Sequence, residues 1–189
     1  TMNVKRRSLG GLALAVAAVL ALGACTAANP DGTSPAAHQD LKVAVPSLPV
    51  NLDVLQSSVD SKIIGPMQHV LEPLLKRNGT TFEPWLAESW ETPDELTWVF
   101  HIRPDVKFSD GTLFTAEDAR ASLQRLLGLE TPLAPLLAEV DSIEVTDDAT
   151  LTISTANPIG VMLTTLSQIL IGQASVIDEE SYWAKPIGT

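Results

Sequence analysis

The segment that ends at Cys25 restricts which part of this chain can contribute to a fold. A positively charged patch at residues 5–7 is followed by an uncharged, mostly apolar run at residues 8–24. This pattern is typical of a secretory signal peptide, and the run is shorter than the ~20 residues that a membrane-spanning helix requires. Removal of residues 1–24 would leave 165 residues, which is enough for a sizeable core in one or two domains.

The four residues Leu22-Gly23-Ala24-Cys25 have the form of a lipobox, because small residues directly before the cysteine give a peptidase access to the backbone. The segment resembles that of bacterial lipoproteins, in which this thiol is acylated and becomes the new N-terminus. We therefore predict lipidation of Cys25 and anchoring on the extracytoplasmic face of the cell membrane, in the periplasm or at the cell surface. The alternative is an ordinary cleaved signal with an unrelated cysteine. Acylation would leave no thiol for a disulfide, so stability would come from core burial alone.

The charge of the chain excludes one class of partner. Without the signal, nine basic residues face 23 acidic ones, a net charge of −14. Such a chain repels phosphate backbones, so we expect no nucleic acid partner. Residues 25–40 are small, polar and rich in proline, which predicts a flexible tether before a domain at residues 41–189.

Hydrophobic periodicity in residues 41–189 predicts strands interleaved with helices, which indicates an α/β domain. The clearest strand is residues 96–103, where Leu96, Trp98, Phe100 and Ile102 share one face. The other predicted elements are a strand at 41–45, a helix at 61–75, an Asn78-Gly79 turn, an extended segment at 80–85, a helix from 115 to about 127, a hairpin joining 143–145 to 151–154 and an apolar helix at 161–171. The four tryptophans are expected to anchor the core.

The sequence offers little to support an enzyme. It contains no G-x-S-x-G, no H-E-x-x-H and no phosphate-binding loop, and its histidines, His38, His69 and His101, are scattered. A lone histidine is far more often a surface or structural residue than a metal ligand. We therefore predict no catalytic residue, no metal site and no cofactor.

Several motifs between residues 71 and 126 occur in a recognisable order. Residues 83–90 read Glu-Pro-Trp-Leu-Ala-Glu-Ser-Trp, residues 106–112 read Val-Lys-Phe-Ser-Asp-Gly-Thr, and residues 114–119 read Phe-Thr-Ala-Glu-Asp-Ala. This order and spacing resemble the oligopeptide, dipeptide and nickel class of bacterial extracellular solute-binding proteins, family five. Ile102 and Ala119 replace the leucine and valine that are usual in the family. Physically, the motifs predict structure: Leu86 and Trp90 as buried anchors, an Asp110-Gly111 turn, and a capping box from Thr115 to Asp118.

The resemblance implies a periplasmic-binding-protein-like α/β fold of the class with an extra subdomain, in which two hinged lobes close over a ligand. It also implies that residues 41–189 supply only the first lobe and its subdomain and that the second lobe is missing. We therefore expect these residues to be an incomplete molecule that does not bind ligand with useful affinity by itself.

The resemblance further implies a binding protein of an ATP-driven importer, which captures peptides and delivers them to a membrane permease with ATPase subunits. A dipeptide, a longer peptide, a nickel chelate and a sugar all remain open as ligands. A peptide-sensing lipoprotein on the same fold and a surface hydrolase are the alternatives.

The resemblance places a ligand-binding segment after Leu52-Asp53. Ser57, Ser58 and Val59 fall where peptide-binding relatives offer main-chain groups to an extended ligand. Some relatives carry an acid there to hold the ligand's amino terminus, whereas this chain has Ser57, with Asp60 nearby. The alternative interpretation of this segment is a solvated loop.

Overall fold

A computed structural model describes residues 51–57 and 60–189. All of the described residues belong to one compact unit. The predicted signal, tether and strand at 41–45 lie outside the described residues, as do Cys25, Ser58 and Val59. Within the described part, no helix has the length and apolar character that crossing a membrane requires.

The described elements run from a short helix into a ribbon, a larger sheet and three further helices. In chain order they are α1 (Ser61–Met67), β1 (Leu75–Asn78), β2 (Thr81–Pro84), β3 (Ala87–Asp94), β4 (Thr97–Ile102), α2 (Ala116–Leu127), a 3₁₀ turn (Ala134–Leu137), β5 (Val140–Asp147), β6 (Thr150–Thr155), α3 (Met162–Leu166) and α4 (Glu180–Ala184).

Four antiparallel strands form the main sheet in the order β3-β4-β6-β5. The predicted alternation of β4 is confirmed at Phe100 and Ile102, which are buried on one face, whereas Leu96 is exposed and precedes the strand. Phe100 pairs with Leu151 of β6, which is also fully buried, and the predicted hairpin around Asp147 joins β5 to β6. Helix α2 contacts β5 and β6 and covers this apolar face. The core therefore lies between α2 and the sheet.

Helix α2 begins and ends close to the predicted residues. Asp118 accepts a hydrogen bond from the Thr115 backbone N–H at 2.8 Å, which supplies a partner for a group outside the helical ladder. Leu123 and Leu126 are buried toward the core, and Gly128 caps the C-terminus. The turn at Asn78-Gly79 is also confirmed, because Gly79 has a φ of 61°.

The predicted helix at residues 61–75 is wrong beyond Met67. The side chains of Leu71, Leu74 and Leu75 have helical spacing and are fully buried, but they lie in an irregular segment and at the start of β1. Pro73 disfavours the α conformation at Glu72, so the helix cannot continue through this segment. Spacing predicted the burial of these leucines correctly and their conformation incorrectly.

The predicted apolar helix at residues 161–171 is wrong after Leu166. Residues 170–171 pair with the segment around Pro73 instead: Leu170 bridges to Pro73, and the Ile171 N–H donates to the Glu72 carbonyl oxygen at 2.9 Å. Backbone groups that bond to another segment are not available to a helix. The apolar run is buried by a long-range pairing that its own sequence does not show.

The prediction that all four tryptophans anchor the core is only partly correct. Trp183 is buried, with its indole N–H donating to the Ile177 carbonyl oxygen at 2.8 Å. Trp85, Trp90 and Trp98 are half-buried at the edge of the core. Leu86, rather than Trp90, is the fully buried anchor of its motif.

Candidate functional site

The predicted ligand segment, residues 57–59, begins at the last residue of a tight loop at residues 51–57, which we call the Asp53 loop. Ser57 is half-buried at the end of this loop, where its N–H donates to the Asp53 carbonyl oxygen at 3.0 Å. The Ser57 carbonyl oxygen accepts from the Asp60 N–H, also at 3.0 Å. Ser57 therefore uses its N–H within the loop and its carbonyl oxygen at the approach to α1. The predicted roles of Ser58 and Val59 concern residues outside the described part.

Asp60, the nearby acid of the sequence prediction, caps helix α1. Its Oδ1 accepts from the Lys62 N–H at 3.0 Å, and its Oδ2 lies 3.6 Å from Lys62 Nζ. Both carboxylate oxygens thus have local partners, which favours a structural role.

A buried carboxylate organises the Asp53 loop. Asp53 is 5% exposed, and its Oδ1 accepts from the N–H groups of Leu55 and Gln56 at 3.1 Å each. The Asp53 N–H in turn donates to Asn51 Oδ1 at 3.0 Å. These bonds close an Asx-type turn, which gives the loop a defined shape without regular secondary structure.

Arg125 of α2 forms an ion pair with the Asp53 carboxylate. Its Nη1 and Nη2 donate to Asp53 Oδ1 and Oδ2 at 3.0 and 2.6 Å, and its Nε donates to Asp178 Oδ1 at 3.2 Å. The guanidinium carbon lies 5.3 Å from the centroid of the Trp183 ring. Burial, the largest single influence, would lower the pKa of Arg125, but the hydrogen bonds and charges of Asp53 and then Asp178 outweigh it and raise that pKa. Arg125 therefore stays charged at any physiological pH.

Next to this ion pair lies a first cavity of about 530 Å³. Its walls come from the Asp53 loop, from α2 and from the segment around α4: Asn51, Leu52, Asp53, Gln56, Arg125, Asp178, Glu180, Trp183 and Ala184. Three carboxylates and one guanidinium give the lining a net negative charge. The amides of Asn51 and Gln56 and the Trp183 ring offer hydrogen bonds and an aromatic wall. Chemically, the cavity suits a polar group that is neutral or positively charged.

Two polar side chains of α2 form hydrogen bonds with the segment at residues 172–178. Asp118 Oδ1 accepts from the Ala174 N–H at 2.8 Å, and Ser122 Oγ accepts from the Gly172 N–H at 3.0 Å. Burial raises the pKa of Asp118, and the hydrogen bonds from Ala174 and Thr115 offset that rise only in part. The spacing 118, 122, 125 places these polar residues on one face of the helix.

The predicted Asp110-Gly111 turn supports the same segment. Asp110 Oδ1 accepts from the N–H and the hydroxyl of Thr112 at 2.9 and 2.6 Å, and these bonds lower the pKa of Asp110. The Thr112 hydroxyl oxygen accepts from Gln173 Nε2 at 2.8 Å. Gly111 adopts a φ of 91°, which explains the glycine at this position. The motif therefore positions a neighbouring segment in addition to making a turn.

A second cavity, of about 640 Å³, lies beside the β1–β2 ribbon. Its lining includes His69, Lys76 and Arg77, and the Lys76 ammonium lies 4.9 Å from the centroid of the Trp85 ring. His101 lies elsewhere, with its Nε2 3.7 Å from Glu91 Oε1. Among residues 51–57 and 60–189, no three His, Cys, Asp or Glu side chains are grouped closely enough to hold a metal ion.

Sequence reasoning missed the Asp53–Arg125 pair. The two residues are 72 positions apart, so no local pattern relates them. A polar row at 118, 122 and 125 on an otherwise apolar helical face was the available signal, because a buried polar group requires a partner. The signal would have identified Arg125 without identifying Asp53.

Comparison with known proteins gives matches over much of the described part. A model of the family described as bacterial extracellular solute-binding proteins, family 5 Middle, matches residues 81–189. The chain is 35% identical over 97 residues to the periplasmic oligopeptide-binding protein of Haemophilus influenzae, a match that covers 41% of this chain and 18% of that protein. It is 46% identical over 61 residues to the nickel-binding periplasmic protein of Escherichia coli, covering 31% of this chain and 12% of that protein.

The fold also matches solved structures. A periplasmic binding protein from A. tumefaciens R10, solved in complex with agropinic acid, superposes with a TM-score of 0.66 at 28% identity, covering 75% of this chain and 30% of that one. This likeness confirms the predicted fold class. The match takes in less than a fifth of each of these two curated relatives and less than a third of the solved protein.

Proposed function

Because the chain belongs to family 5 of the bacterial extracellular solute-binding proteins, we propose that it is part of the binding component of an ATP-driven importer. In this role it captures peptides outside the cytoplasm and presents them to a membrane permease, whose ATPase subunits supply the energy. The family consists of solute-binding proteins rather than enzymes, so the component does no chemistry on its ligand.

The proposal rests on the family match over residues 81–189, and the largely buried ion pair that shapes the Asp53 loop supports it. A binding protein needs segments that reach a ligand and hold their shape before it arrives, because ordering them on binding would reduce affinity. The Asp53 loop has that character. It ends at Ser57, and we propose that the main-chain groups of Ser57, Ser58 and Val59 bind the backbone of an extended peptide.

Peptides are the favoured ligand because the first cavity has a polar, net negative lining. Such a lining suits the ammonium or amide groups of a peptide and opposes a free anion. The identity to an oligopeptide-binding relative supports the same class. A nickel chelate is the second candidate, favoured by the 46% identity to the nickel-binding relative.

The membrane attachment that we propose depends on Cys25. Acylation there would hold the protein on the extracytoplasmic face, and a tether of residues 25–40 would keep the domain near the permease. A single acyl chain binds a membrane only reversibly, whereas two or more anchor it stably.

The test is to purify the full-length protein from its own cells without denaturation and to measure its mass by native mass spectrometry. We expect a bound species that denaturation releases and that tandem mass spectrometry identifies as a peptide. The control is the same protein unfolded, dialysed and refolded, which should lack the extra mass and regain it from a peptide mixture. Release of a nickel chelate would favour the second candidate, and peptide cleavage by the pure protein would contradict the proposal.

A further inference from the structure

We propose that Arg125 is a positioning residue for solute binding, an inference that rests on the proposed function. By fixing the Asp53 loop against α2 and the segment that contains Asp178 and Trp183, it holds Ser57 and the loop's wall of the first cavity in the position that we propose for binding the solute. Arg125 need not touch the solute for this role.

The contacts of Arg125 join three parts of the chain that are distant in sequence. Its guanidinium reaches Asp53, 72 residues away, and Asp178, 53 residues away, while stacking over Trp183. All three of its nitrogen atoms donate to carboxylate oxygens. No other ion pair among the described residues connects segments so far apart, because the remaining pairs lie within ten positions of each other.

Asp53 is buried and Arg125 is largely buried, and this makes the pair sensitive to change. The side chains of Arg125 and Asp53 are 17% and 7% exposed, whereas that of Asp178 is 87% exposed. Removal of the guanidinium would leave the Asp53 carboxylate buried without its cation, which is strongly unfavourable. Water would have to enter, or the carboxylate would have to turn outward. An outward turn moves the oxygen that accepts from the Leu55 and Gln56 N–H groups, and entry of water exposes the same two bonds to solvent.

Because its apolar residues pack in the core, loss of the ion pair changes the orientation of the Asp53 loop without detaching it. Val54 and Leu55 are 3% and 1% exposed and belong to the core, so the loop stays attached when the ion pair is lost. What Arg125 adds is the angle of the loop, because a bidentate pair fixes both distance and direction. Lysine offers a point charge on a flexible stem and cannot reproduce this geometry.

The experiment compares Arg125→Met and Arg125→Lys with Arg120→Met in the full-length protein. Arg120 is the matched control, since it lies on the same helix but pairs with the exposed Glu117 three residues away. The first measurement is amide deuterium exchange without ligand, read at Leu55 and Gln56 and, for reference, in β4 and β6. The second is calorimetric titration with trialanine.

We expect Arg125→Met to speed exchange at Leu55 and Gln56 by ~10-fold or more while β4 and β6 stay as protected as in the wild type. The Kd for trialanine should rise by ~10-fold or more, with Arg125→Lys intermediate and Arg120→Met unchanged. A general loss of stability would speed exchange in the strands as well and would leave the Kd of the folded molecules unchanged. If Arg125→Met does not fold, Asp53→Asn tests the same link, because it keeps an oxygen acceptor and removes the ion pair.

Exchange and affinity equal to the wild type in folded Arg125→Met would overturn the inference. So would equal effects from Arg120→Met. If the wild type does not bind trialanine, that result counts against a tripeptide ligand, and exchange at Leu55 and Gln56 then decides the positioning role, which unchanged exchange would overturn.

Discussion

Asp118→Ala is the substitution that most directly tests how α2 holds the segment at residues 172–178. The change removes a carboxylate that accepts from the Thr115 N–H and hydroxyl at 2.8 and 3.2 Å and from the Ala174 N–H at 2.8 Å. Loss of a helix cap typically costs about 1 kcal/mol. A partly buried N–H left without a partner costs about 1–3 kcal/mol. Relief of the buried charge returns part of this, so we expect a net loss of about 2–3 kcal/mol in the free energy of unfolding.

Asp118→Asn should be nearly as damaging, although it is close to isosteric. Each carboxylate oxygen faces a backbone N–H, and an asparagine side chain has one oxygen and one NH₂ group. Its NH₂ must therefore face an N–H donor. Urea denaturation followed by tryptophan fluorescence measures the effect, with Glu117→Gln as the exposed control on the same turn. An Asp118→Asn protein as stable as the wild type would refute this reasoning.

The raised pKa of Asp118 adds a pH dependence with a defined sign. Because burial raises its folded-state pKa above the ordinary value of 3.8, protonation at this residue favours the folded protein. Its contribution is fully present below pH 3.8 and is lost as the pH rises through the raised pKa. The stability difference between the wild type and Asp118→Ala should therefore grow as the pH is lowered from about 7 toward about 4. A difference that shrinks over this range would contradict the raised pKa.

Three further predictions concern the anchor, the core and a turn. Cys25→Ser should abolish acylation and release the protein from the membrane, and a wild type that takes up no labelled fatty acid would contradict the predicted lipobox. Phe100→Ala should lower the free energy of unfolding by about 3–5 kcal/mol because Phe100 is fully buried. Trp90→Ala and Trp98→Ala should lower it less because both residues are half-buried. Equal denaturation midpoints for all three variants would reject this ranking. Asp110→Ala should lower the midpoint less than Phe100→Ala, since the exposed Asp110 supports a turn through its bonds to Thr112, and a larger loss would show that the turn carries more of the fold.

Much of the fold was predictable because its signals are local. The alternation of β4, the cap of α2 and the turns at Asn78-Gly79 and Asp110-Gly111 each depend on residues a few positions apart. The motifs that indicate the family are equally short, and their order can be read directly along the chain. In these segments the side-chain pattern and the backbone preference agree, so the tertiary structure had nothing to override.

For the candidate site, the sequence indicated only a segment of the chain, and its role in binding stays a prediction. The family resemblance pointed to the segment after Leu52-Asp53, but it did not relate Asp53 to Arg125 or show that Ser57 uses its N–H within the loop. A buried charge requires a partner, and the sequence does not state which of 23 acidic residues will supply it. The packing of α2 against the Asp53 loop determines that Asp53 is this partner.

By itself, the sequence determined what short-range chemistry determines: where the chain alternates, turns and begins a helix, and which family its motifs resemble. The tertiary structure decided what depends on distant segments. It ended α1 at Met67, paired Leu170 with Pro73, left Trp98 half-buried and placed Arg125 on Asp53. The physical reason is that burial and ion pairing are settled by whatever segments meet in space, and such meetings between residues 72 positions apart leave no periodic trace in the chain.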